Sequence, residues 1–164
     1  MNRPPAHGRE WALHAFVLVN FLFACAHAQR YLAVAGSAAS GRGVVFAGLA
    51  LSAQVGLFVL AVSPILWLAG RAEPYALAQR LLGAVAFTLL HAFLYADSRI
   101  FALFKFHFNG LVLNVLFTPG GWESMELPAR DVATAVAGLA GLFALELLGY
   151  TVLLRRAARR RAGR

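Results

Sequence analysis

An all-α, polytopic membrane fold with four transmembrane helices, and an interfacial helix between the third and fourth, is predicted from three features of the sequence. Apolar residues make up 60% of its 164 residues and charged residues only 13%, where a soluble domain carries about 25% charged residues. The apolar residues gather into four runs, each near the roughly 20 helical residues needed to cross a hydrocarbon core of about 30 Å. The basic residues, which leave a formal charge of +8, stand mostly between and after those runs.

The first run is Trp11 to Ala28, in "MNRPPAHGREWALHAFVLVNFLFACAHA". A charged start and an apolar core also begin a signal peptide, for which cleavage after "ACAHA" is the alternative reading. The length and aromatic content of the run favour a retained helix. Small residues and glycines in "QRYLAVAGSAASGRG" predict a short loop before the second run, Val44 to Ala69. "GRAEPYALAQR", with Arg71, Arg80 and the turn-forming Pro74, leads into the third, Leu77 to Ala96.

The longest gap, Asp97 to Arg130, opens with the phenylalanine-rich "DSRIFALFKFHFN". Phe101, Phe104, Phe108 and Leu111 or Val112 recur at spacings of three and four, with Lys105, His107 and Asn109 on other faces. That pattern predicts an interfacial helix over residues 100–117. "TPGG", Thr118 to Gly121, ends it, because proline and two glycines break a helix, and Trp122 is placed as an interface anchor. The fourth run is Val132 to Leu154, followed by a basic tail over residues 155–164, and the whole chain reads as a single transmembrane domain.

A pI near 11.1 commonly indicates a nucleic-acid partner. A basic run directly after an apolar helix is better explained by membrane topology, and no nucleic acid is expected here. Arg3, Arg9, Arg71, Arg80 and the terminal arginines fall on one side of the predicted spans. On the other side, Arg30, Arg42, Arg99, Lys105 and Arg130 are diluted by Asp97, Glu123, Glu126 and Asp131. The positive-inside rule therefore puts both termini in the cytoplasm. Cys25, the lone cysteine, lies in an apolar run and reads as a small buried hydrophobe.

Counted from the flanking charges, one polar residue in each run lies near mid-membrane: Asn20, Gln54, His91 and Glu146. An ionisable group there costs on the order of 3 kcal/mol, so His91 and Glu146 are expected to face the bundle interior and find partners. Interhelical hydrogen bonds are the plainer role, and a proton or ion path the sharper one. A carrier usually shows broken helices and internal repeats, which this sequence lacks.

No two histidines stand at the i, i+3 or i+4 spacing of a helical ligand pair, and neither a metal nor any other cofactor is expected. Without a G-x-S-x-G motif or a glycine-rich phosphate loop, a self-contained enzyme is not expected either. Asp97, Ser98, Arg99, Lys105, His107 and Asn109 fall at headgroup level beside phenylalanines. Two readings stay open for them: a solvated helix end, or a phosphorylated lipid head bound by Arg99, Lys105, His107 and Asn109 with its acyl chains alongside.

The succession Asp97, Ser98, Phe101, Phe104, His107, Asn109 and Pro119 resembles the end of the third transmembrane helix, and the interfacial helix after it, in YejM (PbgA)-type inner-membrane proteins, which are sulfatase-like proteins of Gram-negative bacteria. Asn20, followed ten residues later by Arg30, Tyr31 and Leu32, is similar to that family's first outer boundary. Gln79-Arg80-Leu81 is similar to its second inner loop, and Leu145-Glu146-Leu147 before the arginine run resembles its fourth helix. The resemblance implies five transmembrane helices and then a periplasmic domain of the alkaline phosphatase and sulfatase superfamily. Lipoteichoic acid synthases and phosphoethanolamine transferases share that architecture.

Four spans are read in this sequence, with the arginine cluster where the family enters its fifth, so that domain's metal ligands and nucleophile are expected to lie outside it. The resemblance implies a non-catalytic module that binds anionic lipid or lipopolysaccharide and regulates envelope lipid synthesis through membrane partners. Those partners are membrane lipids, other integral membrane proteins or a separately encoded periplasmic domain. The alternative is the membrane anchor of a sulfatase-like hydrolase, or of a phosphoglycerol or phosphoethanolamine transferase.

The charge asymmetry makes a direct prediction. A reporter active only in the periplasm should be active when fused after Gly41 and inactive after Arg71, and the reverse pattern would invert the topology.

Overall fold

The computed structural model describes residues 6–35, 40–71, 76–121 and 128–162, with side chains at 10–33, 40–68, 77–121 and 128–160. Among the described residues five helices follow in order: α1 (Ala6–Ala35), α2 (Gly41–Arg71), α3 (Ala76–Phe104), α4 (Gly110–Phe117) and α5 (Ala129–Ala162). The described residues contain no strand. Four of these described helices are long and apolar enough to cross a membrane, over Glu10–Ala33, Gly41–Leu68, Leu77–Phe104 and Ala129–Arg160. With four spans, the start of α1 and the end of α5 lie on one side, and α4 with the turns beside it at the opposite, loop end. Trp122 and Pro74, assigned an anchor and a turn from sequence, lie outside the described residues.

The long helices outrun the apolar stretches that predict them. α1 continues through Gln29-Arg30-Tyr31 to Ala35, and α3 continues through Asp97-Ser98-Arg99 to Phe104, since neither extension contains a proline or glycine to stop it. At about 1.5 Å per residue, helices of 29 to 34 residues exceed the hydrocarbon core and carry their last turns into the headgroup region.

The interfacial helix expected over residues 100–117 is corrected accordingly. Residues 100–104 close α3, the chain turns over residues 105–109, and the separate helix is only Gly110–Phe117. At the break Lys105 takes a left-handed φ of 61°. Asn109 then restarts the helix as its N-cap, its side chain accepting from the Leu111 and Val112 amides. The spacing of the phenylalanines does not change across the break, which is why periodicity alone joins the two pieces. The "TPGG" stop acts as its residues require. Thr118 caps α4 through a bond from its own N–H to the Asn114 carbonyl, and Gly120 takes a φ of 82°.

Helix α1 packs against α2, α3 and α5, and α3 also touches α2 and α5, so α2 and α5 occupy opposite corners. The centre is aromatic. Phe16 stacks on Tyr150 at 4.4 Å and 9° and meets Phe87 edge-on at 5.3 Å. Gly83 lets α3 approach this stack, because a Cβ there would lie 3.2 Å from Phe16 Cε1 and 3.5 Å from Tyr150 Cδ1. Nearer the chain ends, the buried Gln79 side chain donates to the Leu66 carbonyl at 3.1 Å, tying α3 to α2. Pro64, inside α2, leaves the carbonyl one turn back without its helical donor.

Outside this core the bundle presents large apolar side chains, among them Phe46, Leu49, Leu57, Leu89 and Phe117. Lipid is the solvent in which such a surface is stable. Residues 129–141 of α5 are all exposed, so the first part of that helix stands off the bundle. Replacing Gly83 with Val should wedge α3 away from Phe16 and Tyr150. Overpacking of this kind costs about 1–3 kcal/mol, to be read as a lowered Tm in detergent.

Candidate functional site

Two polar clusters interrupt the apolar interior. At mid-membrane, α1, α3 and α5 each contribute one side chain. Asn20 Nδ2 donates to Glu146 Oε2 at 3.0 Å and to the Phe16 carbonyl at 3.1 Å. The Asn20 carbonyl oxygen lies 2.8 Å from His91 Nε2. An amide oxygen only accepts, so His91 carries its proton on Nε2 and donates to Asn20. The direction of the chain of bonds is thus fixed: imidazole to amide, amide to carboxyl. Glu146 Oε1 stands 3.8 Å from His91 Nε2, beyond hydrogen-bond reach. Asn20 and His91 are buried, and Phe23 covers the imidazole edge-on with ring centres 4.6 Å apart.

The mid-depth residues read from sequence therefore separate. Asn20, His91 and Glu146 come together, while Gln54 on α2 is exposed on the outside of the bundle. Counting residues gives depth along a helix. Which face turns inward depends on the neighbours, and α2 occupies a corner away from α5.

The second cluster lies at the loop end and is organised by Asp97, buried in the last part of α3. Its Oδ2 accepts the Tyr31 hydroxyl at 2.6 Å and His107 Nδ1 at 2.8 Å, and its Oδ1 accepts the Phe108 amide. One carboxyl thus draws the turn after α3 back against α1. The His107 ring stacks on Phe101 at 4.8 Å and 18°, and Tyr31 meets both rings at 5.6 and 5.3 Å. Beside it, His27 Nε2 lies 3.3 Å from the Ser98 hydroxyl, which donates to the Tyr95 carbonyl.

Of the four headgroup candidates, the structure gives two a local role: His107 binds Asp97, and Asn109 caps α4. The Arg99 and Lys105 side chains are exposed and make no hydrogen bond or ion pair among the described residues. Arg30 is also exposed, its guanidinium 5.8 Å from the Tyr95 ring centre. Phe104 points outward and stacks on Phe106, and Pro119 lies exposed beyond α4. Tyr31 and His27 are the members that sequence reasoning missed. Their signal was present, since both are polar aromatic residues placed where α1 reaches headgroup depth. No three His, Cys, Asp or Glu side chains among the described residues group closely enough to hold a metal ion.

The mid-membrane geometry makes the two ends of the bond chain unequal. Replacing Asn20 with Leu removes the bridge and leaves His91 and Glu146 both unsatisfied, a cost of about 1–3 kcal/mol per stranded group. Glu146→Gln keeps an oxygen for the Asn20 amide and should cost much less. Thermal unfolding in detergent should rank the variants wild type, Glu146→Gln, Asn20→Leu in falling Tm.

Comparison with known proteins gives a family. No curated protein matches the chain. Residues 8–164, nearly its whole length, match the family described as a domain of unknown function, DUF3413. The apolar four-span bundle with its two polar clusters is therefore a member of the DUF3413 family.

Proposed function

We propose that the protein is a non-catalytic module of the bacterial inner membrane that binds the phosphorylated head of an anionic lipid at its loop end. The observation that carries this reading is the division of labour around Asp97. That carboxyl is engaged by Tyr31, His107 and the Phe108 amide, and it forms no ion pair with Arg99 or Lys105 among the described residues. Arg99 and Lys105 are left facing outward beside the exposed Leu103 and Phe104. Cations at headgroup level with apolar side chains next to them match a phosphate and its acyl chains. Arg30, Arg42 and Arg130 are exposed near the same end and extend the positive field.

With the termini on the cytoplasmic face, this end meets the outer leaflet of the inner membrane. The resemblance of Asp97 to Pro119 to the YejM type supports a regulatory role in envelope lipid synthesis, exercised through membrane partners, with lipopolysaccharide as the candidate lipid. The same resemblance supports the second reading, the membrane anchor of a sulfatase-like hydrolase or transferase.

Replacing Arg99 and Lys105 together with Ala should reduce retention of anionic lipid several-fold in native mass spectrometry, leaving zwitterionic lipid unchanged. Parallel titration with phosphatidylglycerol and with lipopolysaccharide distinguishes the two sources of phosphate. Unchanged retention of both would remove the headgroup role from this cluster.

A further inference from the structure

Gln54 and Glu146 each present an incomplete hydrogen-bonding group at a similar depth along the bundle, within about one helical turn of each other. The Gln54 carboxamide is exposed on the lipid side of α2 and has no hydrogen bond among the described residues. Its level is fixed by packing. Gly56, two residues on, faces α1, and a Cβ there would lie 3.6 Å from the Phe21 ring, next in sequence to Asn20. Two residues of helix rise about 3 Å, so Gln54 stands within about one helical turn of the Asn20–Glu146 bond. A primary amide facing hydrocarbon with its donors and acceptor unmet is costly.

Glu146 is the complement. A cleft of about 260 Å³ opens between α1 and α5, lined by Asn20, Phe23, Leu145, Glu146 and Gly149 among others. The Glu146 side chain is only 10% exposed, and Oε1 lacks any hydrogen bond among the described residues. A Cβ at Gly149 would meet nothing within 4 Å, so another helix has room to approach. On α2, Ala50 and Ala61 share the exposed Gln54 face at i−4 and i+7, with Leu57 between them at i+3, and small residues such as the two alanines let helix backbones come close.

From these features we infer that copies of the chain associate head to tail in the membrane, with Gln54 on α2 of one copy entering the α1–α5 cleft of the next and donating to Glu146 Oε1. Copies inserted with the same orientation are related by rotation about the membrane normal, which preserves depth. Only groups at similar depth can then meet across the interface, and Gln54 and Glu146 satisfy that condition. The site formed by Asn20, His91 and Glu146 is incomplete in one copy and is completed by the second.

The test uses the full chain in lipid vesicles, with Cys25→Ala to remove the native thiol. Copies carrying Gln54→Cys are mixed with copies carrying Leu145→Cys and treated with a short bismaleimide. The expected result is a cross-linked species at twice the chain mass that is strongest for the mixed pair. Gln54→Leu, a lipid-facing change that leaves the fold intact, should weaken self-association about tenfold in a dilution series read by energy transfer. Gly149→Leu, which fills the cleft, should abolish it. The proposal is overturned by a monomer at all dilutions, by an assembly in which the mixed pair does not cross-link, or by association indifferent to Gln54→Leu.

Discussion

The amide of Asn20 is the constraint around which the bundle is arranged. In hydrocarbon a polar side chain cannot fall back on water, so each must find its partners within the protein. Asn20 supplies two donors and an acceptor on a short, stiff side chain, and all are engaged, by the Phe16 carbonyl, Glu146 and His91. This fixes the rotation of α1 about its axis and the register of α3 and α5 against it. The aromatic stack of Phe16 on Tyr150 lies one turn away on the same two helices. Dispersion there supplies the area, and the hydrogen bonds supply the choice among otherwise similar apolar packings.

At the loop end a different economy operates, because water and headgroups are within reach. Asp97 gathers donors from α1, from the turn after α3 and from that turn's backbone. The turn is therefore held against the bundle while α4 makes no comparable contact with any long helix. An eight-residue helix is too short to persist alone in water. Its apolar side chains, its Asn109 cap and its Thr118 exit together suit it to the interface.

How much of this was legible in the sequence depended on how local the governing physics was. The four spans follow from apolar runs alone, and so does the grouping of polar residues at one depth. The helix ends were not legible from apolarity, since α1 and α3 continue through polar residues that are good helix formers; the absence of Gly or Pro in those extensions was the better guide. The break before α4 was encoded by Asn109 acting as a cap, a signal obscured by the regular phenylalanines around it. The pairing of Tyr31 with Asp97 spans 66 residues of chain, and no local pattern announces it. Gln54 fails to join the cluster for a similar reason, because helix rotation is decided between helices.

The stand-off of α5 over residues 129–141 gives the protein unequal cross-sections in the two leaflets. Toward the chain ends α5 is sealed to α1, with Ala157 buried and Arg160 lying 4.9 Å over the Trp11 ring. Toward the loops, the space beside α5 belongs to acyl chains. Over residues 129–141 lipid rather than protein is the packing partner of α5, so this is the part of the bundle whose tilt is free to answer to bilayer thickness.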